Sequence, residues 1–470
     1  MTTAPARRWL ARTAAVLVAA AVAGAAMPTA EAKPPKGDTA RVSETTKGEQ
    51  LNGSSNALGL SEDGRSALFT STATNLLPEA GTPNADEVYV RNLRNGHVER
   101  VSVADDGSRL NAPTFAASIS GDSRYVAFST TATNVVPGQV AHESDVFVRD
   151  RWTGHTELVT AAAVPSTDDQ STFDALNPSI SRDGRYVAYT SNRTDLATGP
   201  VKRGRDNVYV TDRWTHTSRL VTVGADGKAA DLDSLEPSIS ADGSTVAFTS
   251  KARNLLPADP DTDPAPTADP AADDGAPADD APGLTSHPRR YPTYVWKAAT
   301  GTIVGASLNE TGALDGSLYG RISPDGRYAV YSVPVFIGGI PPHGIRLDVY
   351  VHELATGKVT KVNTDLPGTS AIWSSSGAVM TADSRWVYFD SGTDTLVPDD
   401  TNNAYDVFRR DLWTGRIERV SLTRDGGQST AESVDPFVDA TGDTVLFSAS
   451  DGDLVPGDTN KVYDVFLRHL

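Results

Sequence analysis

Two loops near the end of the chain carry residues spaced for cation chemistry: Asp400-Thr401-Asn402 followed by Asp406, and Asp458-Thr459-Asn460 followed by Asp464. Oxygen donors at the first, third and seventh positions of a loop can converge on Ca²⁺, which takes about six to eight oxygen ligands. The same residue types have a purely local use. Asp and Asn side chains shape Asx-turns, and an Asp in the last position caps the entry to a strand. An earlier copy of the frame keeps Asp145 but has Gln139 and Ala141 at the first two donor positions. Calcium is therefore expected, if anywhere, at the two late loops, through Asp400, Asn402 and Asp406 and through Asp458, Asn460 and Asp464. The Gly and Glu of an EF-hand are missing from both.

Other chemistry has less to stand on. The chain has no cysteine, which removes disulfides, thiolate catalysis and Cys-ligated metals. Its eight histidines are scattered, without the HExxH spacing of a zinc hydrolase. No Gly-x-Ser-x-Gly elbow appears, nor an α/β segment to carry one. Paired carboxylates for glycoside chemistry are available in number, but the sequence singles out no pair. Trp152, Trp214 and Trp413 recur in one context, which fits a sugar platform or, more simply, blade-to-blade packing.

The elements that must position these residues are set by a repeat. One phrase recurs seven times, starting at Gly59-Leu60-Ser61, Ser118-Ile119-Ser120, Ser179-Ile180-Ser181, Ser238-Ile239-Ser240, Arg321-Ile322-Ser323, Val379-Met380-Thr381 and Phe437-Val438-Asp439. At the turn, Asp63, Asp122, Asp183 and Asp242 are 59, 61 and 59 residues apart; Asp325 follows after 83 and Asp383 after a further 58. Each unit parses into four short strands. Strand a is the Ser-Ile-Ser stretch, and an Asp-Gly hairpin turn leads to strand b, as in Tyr186-Val187-Ala188-Tyr189. A polar loop precedes strand c, as in Asp145-Val146-Phe147-Val148. A second tight turn (Trp152-Thr153-Gly154) leads to strand d, as in Glu99-Arg100-Val101-Ser102. Four antiparallel strands per repeat, with no helical period between them, predict an all-β, seven-bladed β-propeller over residues 39 to 470.

The seventh unit stops after strand c, at Asp464-Val465-Phe466-Leu467. Its missing strand d is supplied by Ala40-Arg41-Val42-Ser43, which precedes Gly48-Glu49-Gln50-Leu51-Asn52 just as Glu99-Arg100-Val101-Ser102 precedes Gly107-Ser108-Arg109-Leu110-Asn111. The mature N-terminal strand should therefore close the last blade and leave no open edge.

The phrases Ser-x-Asp-Gly-Arg-Tyr-Val-Ala-Tyr and Asp-Val-Phe-Val-Arg-Asp resemble the TolB-like, WD-like propeller repeats of exported bacterial proteins, over nearly all of residues 39 to 470. The resemblance implies the fold. TolB carries a separate α/β domain before its propeller that this sequence lacks, so a TolB role in envelope assembly does not follow.

Residues 1 to 32 read as a signal peptide: Arg7, Arg8 and Arg12, then an apolar run from Thr13 to Met27, then Ala30-Glu31-Ala32 for cleavage after Ala32. Both the general secretory and twin-arginine routes fit. Residues 33 to 38 are a short linker. Removing the signal takes away three Arg and one Glu and leaves a net charge of −20, which disfavours nucleic acid. The fourth unit's extra length is an insertion at about 257–290; residues 257 to 283 contain eight Asp and seven Pro, a composition expected to be disordered. No membrane span is expected in the mature chain. The reading that follows is a secreted, monomeric, non-catalytic scaffold that binds a protein or a cell-wall or extracellular glycan, with the b–c and d–a loop face as its working surface. The alternatives are a carbohydrate-active hydrolase or lyase with its site in the central channel, and a structural surface protein without a small ligand. A mouth lined by inward carboxylates, His and Tyr within reach of one another would favour the enzyme, and a channel lined mostly by Ser, Thr and small residues the scaffold.

Overall fold

The computed structural model describes residues 37–78, 87–140, 142–164, 173–257, 291–309, 311–337, 345–450 and 452–470. The signal peptide, the start of the linker and the insertion from 258 to 290 lie outside the described residues.

The strands form seven four-stranded antiparallel sheets, each in the order a-b-c-d. Blade 1, for example, is built from Ser55–Leu60, Ser66–Ser71, Glu87–Asn92 and Val98–Arg100. The a–b hairpin closes through side chains: Ser61 Oγ donates to Asp63 Oδ1 (2.7 Å), and Ser66 N and Arg65 N donate back to Ser61 Oγ and Asp63 Oδ1 (3.0 Å each). Gly64 supplies the positive φ that the turn needs. In blades 2 and 6 that position is Ser123 and Ser384, held at φ 67° and 57°. The hydroxyl offsets the strain, because each donates to the turn Asp of the preceding blade, Asp63 and Asp325, at 2.7 Å.

Every blade carries a cross-strand aromatic pair on strands b and c, from Phe69–Tyr89 in blade 1 to Phe447–Phe466 in blade 7, with ring centroids 5.8 to 6.2 Å apart. Such pairs contribute about 0.5–1.5 kcal/mol beyond their burial, and they sit in hydrophobic clusters such as the one that packs Ala188 and Val208 of blade 3 against Val246 and Phe248 of blade 4.

The ring closes as the sequence predicts. Thr39–Arg41 pairs antiparallel with Asp464–His469 as the fourth strand of blade 7, in the register Thr39↔Arg468, Ala40↔Leu467, Arg41↔Phe466. Adjacent a strands touch all the way round, blade 7 against blade 1 included. The a–b turns are tied to one another by backbone bonds, among them Asp63 N to Gly121 O, Arg182 N to Ala241 O and Ala440 N to Glu62 O.

Candidate functional site

The structure brings Asp458, Asn460 and Asp464 together, and likewise Asp400, Asn402 and Asp406. Each trio is threaded by an arginine from strand d. In blade 6, Arg419 Nη2 lies 2.9 Å from Asp400 and its Nε 3.4 Å from Asp406. In blade 7, Arg41 Nη2 lies 3.4 Å from Asp458 and its Nε 3.7 Å from Asp464. The asparagines turn their amide nitrogens inward: Asn402 Nδ2 donates to Asp406 (2.9 Å) and Asn460 Nδ2 to Asp464 (3.0 Å). A glutamine completes each set, Gln428 on Asp400 (3.0 Å) and Gln50 on Asp458 (2.6 Å). The guanidinium thus supplies, in these clusters, the positive charge a cation would bring.

The clusters belong to a device that most blades share. An acid at the start of strand c (inside it in blade 5) is matched to a cation and to a residue two positions past the end of strand d: Ser43 Oγ donates to Asp464 (2.6 Å), Thr160 to Asp145 (2.7 Å), Asn363 to Asp348 (2.9 Å) and Ser421 to Asp406 (2.6 Å). Asp145 pairs with His142 and Arg193, and Asp348 with Lys361. Blade 1 does the same with Glu87 between Arg100 and Arg109. In blade 2, Gln139 bonds back to Ala132 O instead. Burial pushes Asp406 up to about 6, with Arg419 working against it.

Trp152, Trp214 and Trp413 stand on the opposite end, 71, 62 and 73% exposed. Packing between blades was the sequence expectation; instead each lies under an arginine of its own blade, Arg124, Arg185 or Arg385, at 4.6–4.7 Å from the ring.

The channel holds what the repeat concealed. Strand a lines the centre of the ring, each a strand touching the next, and in every blade its register slips by a bulge, at Leu58, Phe115, Asn177, Glu236, Tyr319, Gly377 and Asp435 in turn. Five of these side chains are exposed: Phe115, Asn177, Glu236, Tyr319 and Asp435. Asn177, Glu236, Tyr319 and Asp435 sit at φ 52–56°, a left-handed conformation that costs a non-glycine residue about 1–2 kcal/mol. Strain of this kind, held in four blades, is characteristic of places where side-chain direction matters.

Blade 6 departs from the others. Its bulge residue is Gly377 (φ 63°), and a Cβ built there would fall 2.2 Å from Asp390 Oδ2. Asp390 comes from strand b, at the position where the other blades have Thr70, Ser129, Thr190, Thr249, Ser332 and Ser448. It is 4% exposed, accepts from Ser376 Oγ (2.7 Å), and reaches across to blade 7 to accept from Asp435 N (3.3 Å). In the corresponding place between blades 7 and 1, Ser448 Oγ accepts from Ala57 N. Burial pushes Asp390 up to about 6, with the charge of Asp435 adding to it.

Around this carboxyl stand groups from four blades. Half-buried Arg321 of blade 5 lies over Phe437 (5.7 Å) and feels Asp435, Glu236 and Asp390. No described residue hydrogen-bonds its guanidinium. Burial raises the Tyr319 phenol, and the charges of Asp390, Glu236 and Asp435 raise it further. Asp435 is raised by burial and pulled back by Arg321. The Asp435–Asp390 bond and the Arg321–Phe437 contact join blades 5, 6 and 7 at this point, and Glu236 of blade 4 is near enough to bear on Arg321 and Tyr319. On the blade 3 side of the mouth, burial and the neighbouring Asp174 and Asp233 push Asp206 up to about 6.

No family model matches the sequence, and no curated protein matches it. Among solved structures, an oligogalacturonate lyase from Vibrio parahaemolyticus is 12% identical, with a TM-score of 0.50 over 94% of this chain and 98% of the other. The β-propeller domain of the Trilobed protease from Pyrococcus furiosus is 12% identical, TM-score 0.48, over 88% and 93%. A putative TolB from Agrobacterium tumefaciens is 14% identical, TM-score 0.39, over 82% and 98%. At these identities the likeness is one of fold. The chain is a seven-bladed β-propeller, and its structural neighbours include TolB proteins, peptidases and a lyase.

Proposed function

We propose that this protein is a secreted binding propeller whose lumen and its b–c and d–a mouth recognise a protein or an extracellular glycan. One observation carries the reading. The blades repeat almost everywhere, yet the residue at the bulge of the innermost strand differs in every blade. A scaffold needs the repeated residues; recognition of an asymmetric ligand needs the differing ones. Among the described residues no helix is long and apolar enough to cross a membrane. The deciding experiment is a binding screen of the protein against glycans and extracellular proteins, with a turnover readout. Binding abolished by Tyr319→Ala together with Glu236→Gln supports the reading, and binding indifferent to both removes the lumen from it.

A second reading, a carbohydrate-active enzyme, is favoured by the carboxylates and Tyr319 on the a strands, the lining expected of an enzyme, and by Asp390, since a carboxyl held up to about 6 suits a general acid. Reducing-end release in the same screen would establish it. Calcium at the loops of blades 6 and 7 is a separate proposal. The ion would have to displace Arg419 or Arg41, and a melt with chelator followed by millimolar Ca²⁺ tests it.

A further inference from the structure

We propose that the lumen ring takes a neutral, hydroxyl-rich saccharide, held in the half formed by blades 4 to 7; this rests on the binding reading above and names its ligand. Of the five exposed side chains at the a-strand bulges, three end in a carboxylate or amide (Asn177, Glu236, Asp435) and two are aromatic (Phe115, Tyr319). Carboxylate and amide oxygens accept from ring hydroxyls. An aromatic face covers the apolar C–H side of a pyranose, and few other ligands need both at once. Tyr319 is 50% and Phe115 56% exposed, so neither face is used up by the core.

Blade 6 fits the same purpose. Gly377 removes the side chain that would otherwise project there, and what lies beneath the gap is the Asp390 carboxyl, fixed by Ser376 and by the backbone of Asp435. Pinned from two sides, it is oriented before any ligand arrives, which lowers the ordering cost of binding. Arg321, without a hydrogen-bond partner among the described residues, supplies donors to a ring or hydroxyl oxygen from the same side. Asp390, Asp435 and Glu236 outnumber Arg321, so the space is net negative. Acidic sugars such as uronates are therefore repelled, and a neutral chain is not.

The test is titration of the full chain with soluble cello-, laminari-, manno- and N-acetylchito-oligosaccharides, with polygalacturonate and an oligolysine peptide as charged probes. Wild type is compared with Tyr319→Ala, Glu236→Gln and Asp435→Asn, and with Trp152→Ala on the opposite end; melting temperature checks that each variant is folded. The expected result is binding of at least one neutral oligosaccharide, weakened tenfold or more by each lumen variant and unchanged by Trp152→Ala. If a neutral sugar binds but the folded lumen variants bind equally well, the assignment is overturned. It is also overturned if only polygalacturonate or oligolysine binds, while the broader binding reading survives. If neither these probes nor the wider screen yields a ligand, both fall.

Discussion

The closing strand gives the sharpest test of how the ring is held. Ser43 is fully buried; its hydroxyl donates to Asp464 Oδ1 (2.6 Å) and accepts from Val465 N (2.9 Å). Ser43→Ala orphans a buried N–H and removes one donor from a buried carboxylate, which costs about 1–3 kcal/mol for each group. Asp464 keeps Asn460 and Gln50, so the lower half of that range applies to it, and with the orphaned N–H the total is about 2–5 kcal/mol. Ser421→Ala is the matched control. Ser421 makes the same two bonds, to Asp406 (2.6 Å) and from Val407 N (3.0 Å), inside a blade whose chain is continuous. Equal local losses with a larger fall in melting temperature for Ser43→Ala would measure what closure adds. Deleting residues 39 to 43 goes further. It also exposes the site of Val42, 2% exposed and worth about 1.5–3 kcal/mol, and strips Asp464 of Arg41, at about 3–5 kcal/mol for a buried pair broken from one side. Losses of that order approach the 5–15 kcal/mol or so that holds a typical domain. The assay is a thermal melt with sedimentation analysis, with and without a synthetic peptide of residues 37 to 47 added in excess. The peptide should raise the melting temperature of the deletion variant in a concentration-dependent way. A deletion variant that melts with the parent, stays monomeric and ignores the peptide would refute the closure argument.

Other expectations follow from the same coordinates. Because the folded Asp390 carboxyl is raised to about 6 from 3.8, its native state holds a proton that the unfolded chain gives up. Its contribution is present below about pH 4 and lost as pH rises through about 6; Asp390→Asn should flatten that part of the stability–pH profile and gain about 2–3 kcal/mol at pH 8 relative to wild type. Gly377→Ala drives a methyl into Asp390 Oδ2 and should cost about 2 kcal/mol or more; Asp390→Ser, which restores the residue type of the other blades, should recover most of it in the double variant. For calcium, Arg419→Ala should increase any Ca²⁺-dependent rise in melting temperature and Asp400→Ala plus Asp458→Ala should abolish it; indifference to Ca²⁺ in all three proteins leaves the loops as turns stabilised by arginine.

The fold was legible because it is written seven times. The Asp-Gly turns, the b and c strand alternation and the displaced Ala40-Arg41-Val42-Ser43 each repeat a pattern that can be compared with its own copies. The loop trios were found too, as sets that do converge. What spacing along a loop could not show is that Arg419, on strand d of the same sheet, and Arg41, at the other end of the sequence, each enter the cluster of their own blade. The lumen was missed for the opposite reason. A search for repeats marks what recurs, whereas Asn177, Glu236, Tyr319 and Asp435 share only a backbone conformation that residue type does not announce. A signal was present in Phe389-Asp390-Ser391, where every other unit has a hydroxyl before the last strand residue, and in Gly377 beside it.

The bond between Arg468 Nη1 and Thr39 Oγ1 spans 429 positions of sequence, and this has a consequence in time. On a ribosome, or emerging from an export channel, the segment that completes the last sheet is made first and must wait for the whole of the rest. Until residues 464 to 469 exist, blade 7 has no third strand for it to join, and six finished blades form an arc with two raw ends. Contacts of such long range are the slowest to form, and an arc with open edges is the species most exposed to mispairing with another chain. Folding yield should therefore depend on protein concentration and on what shields that arc, even where the completed ring is stable.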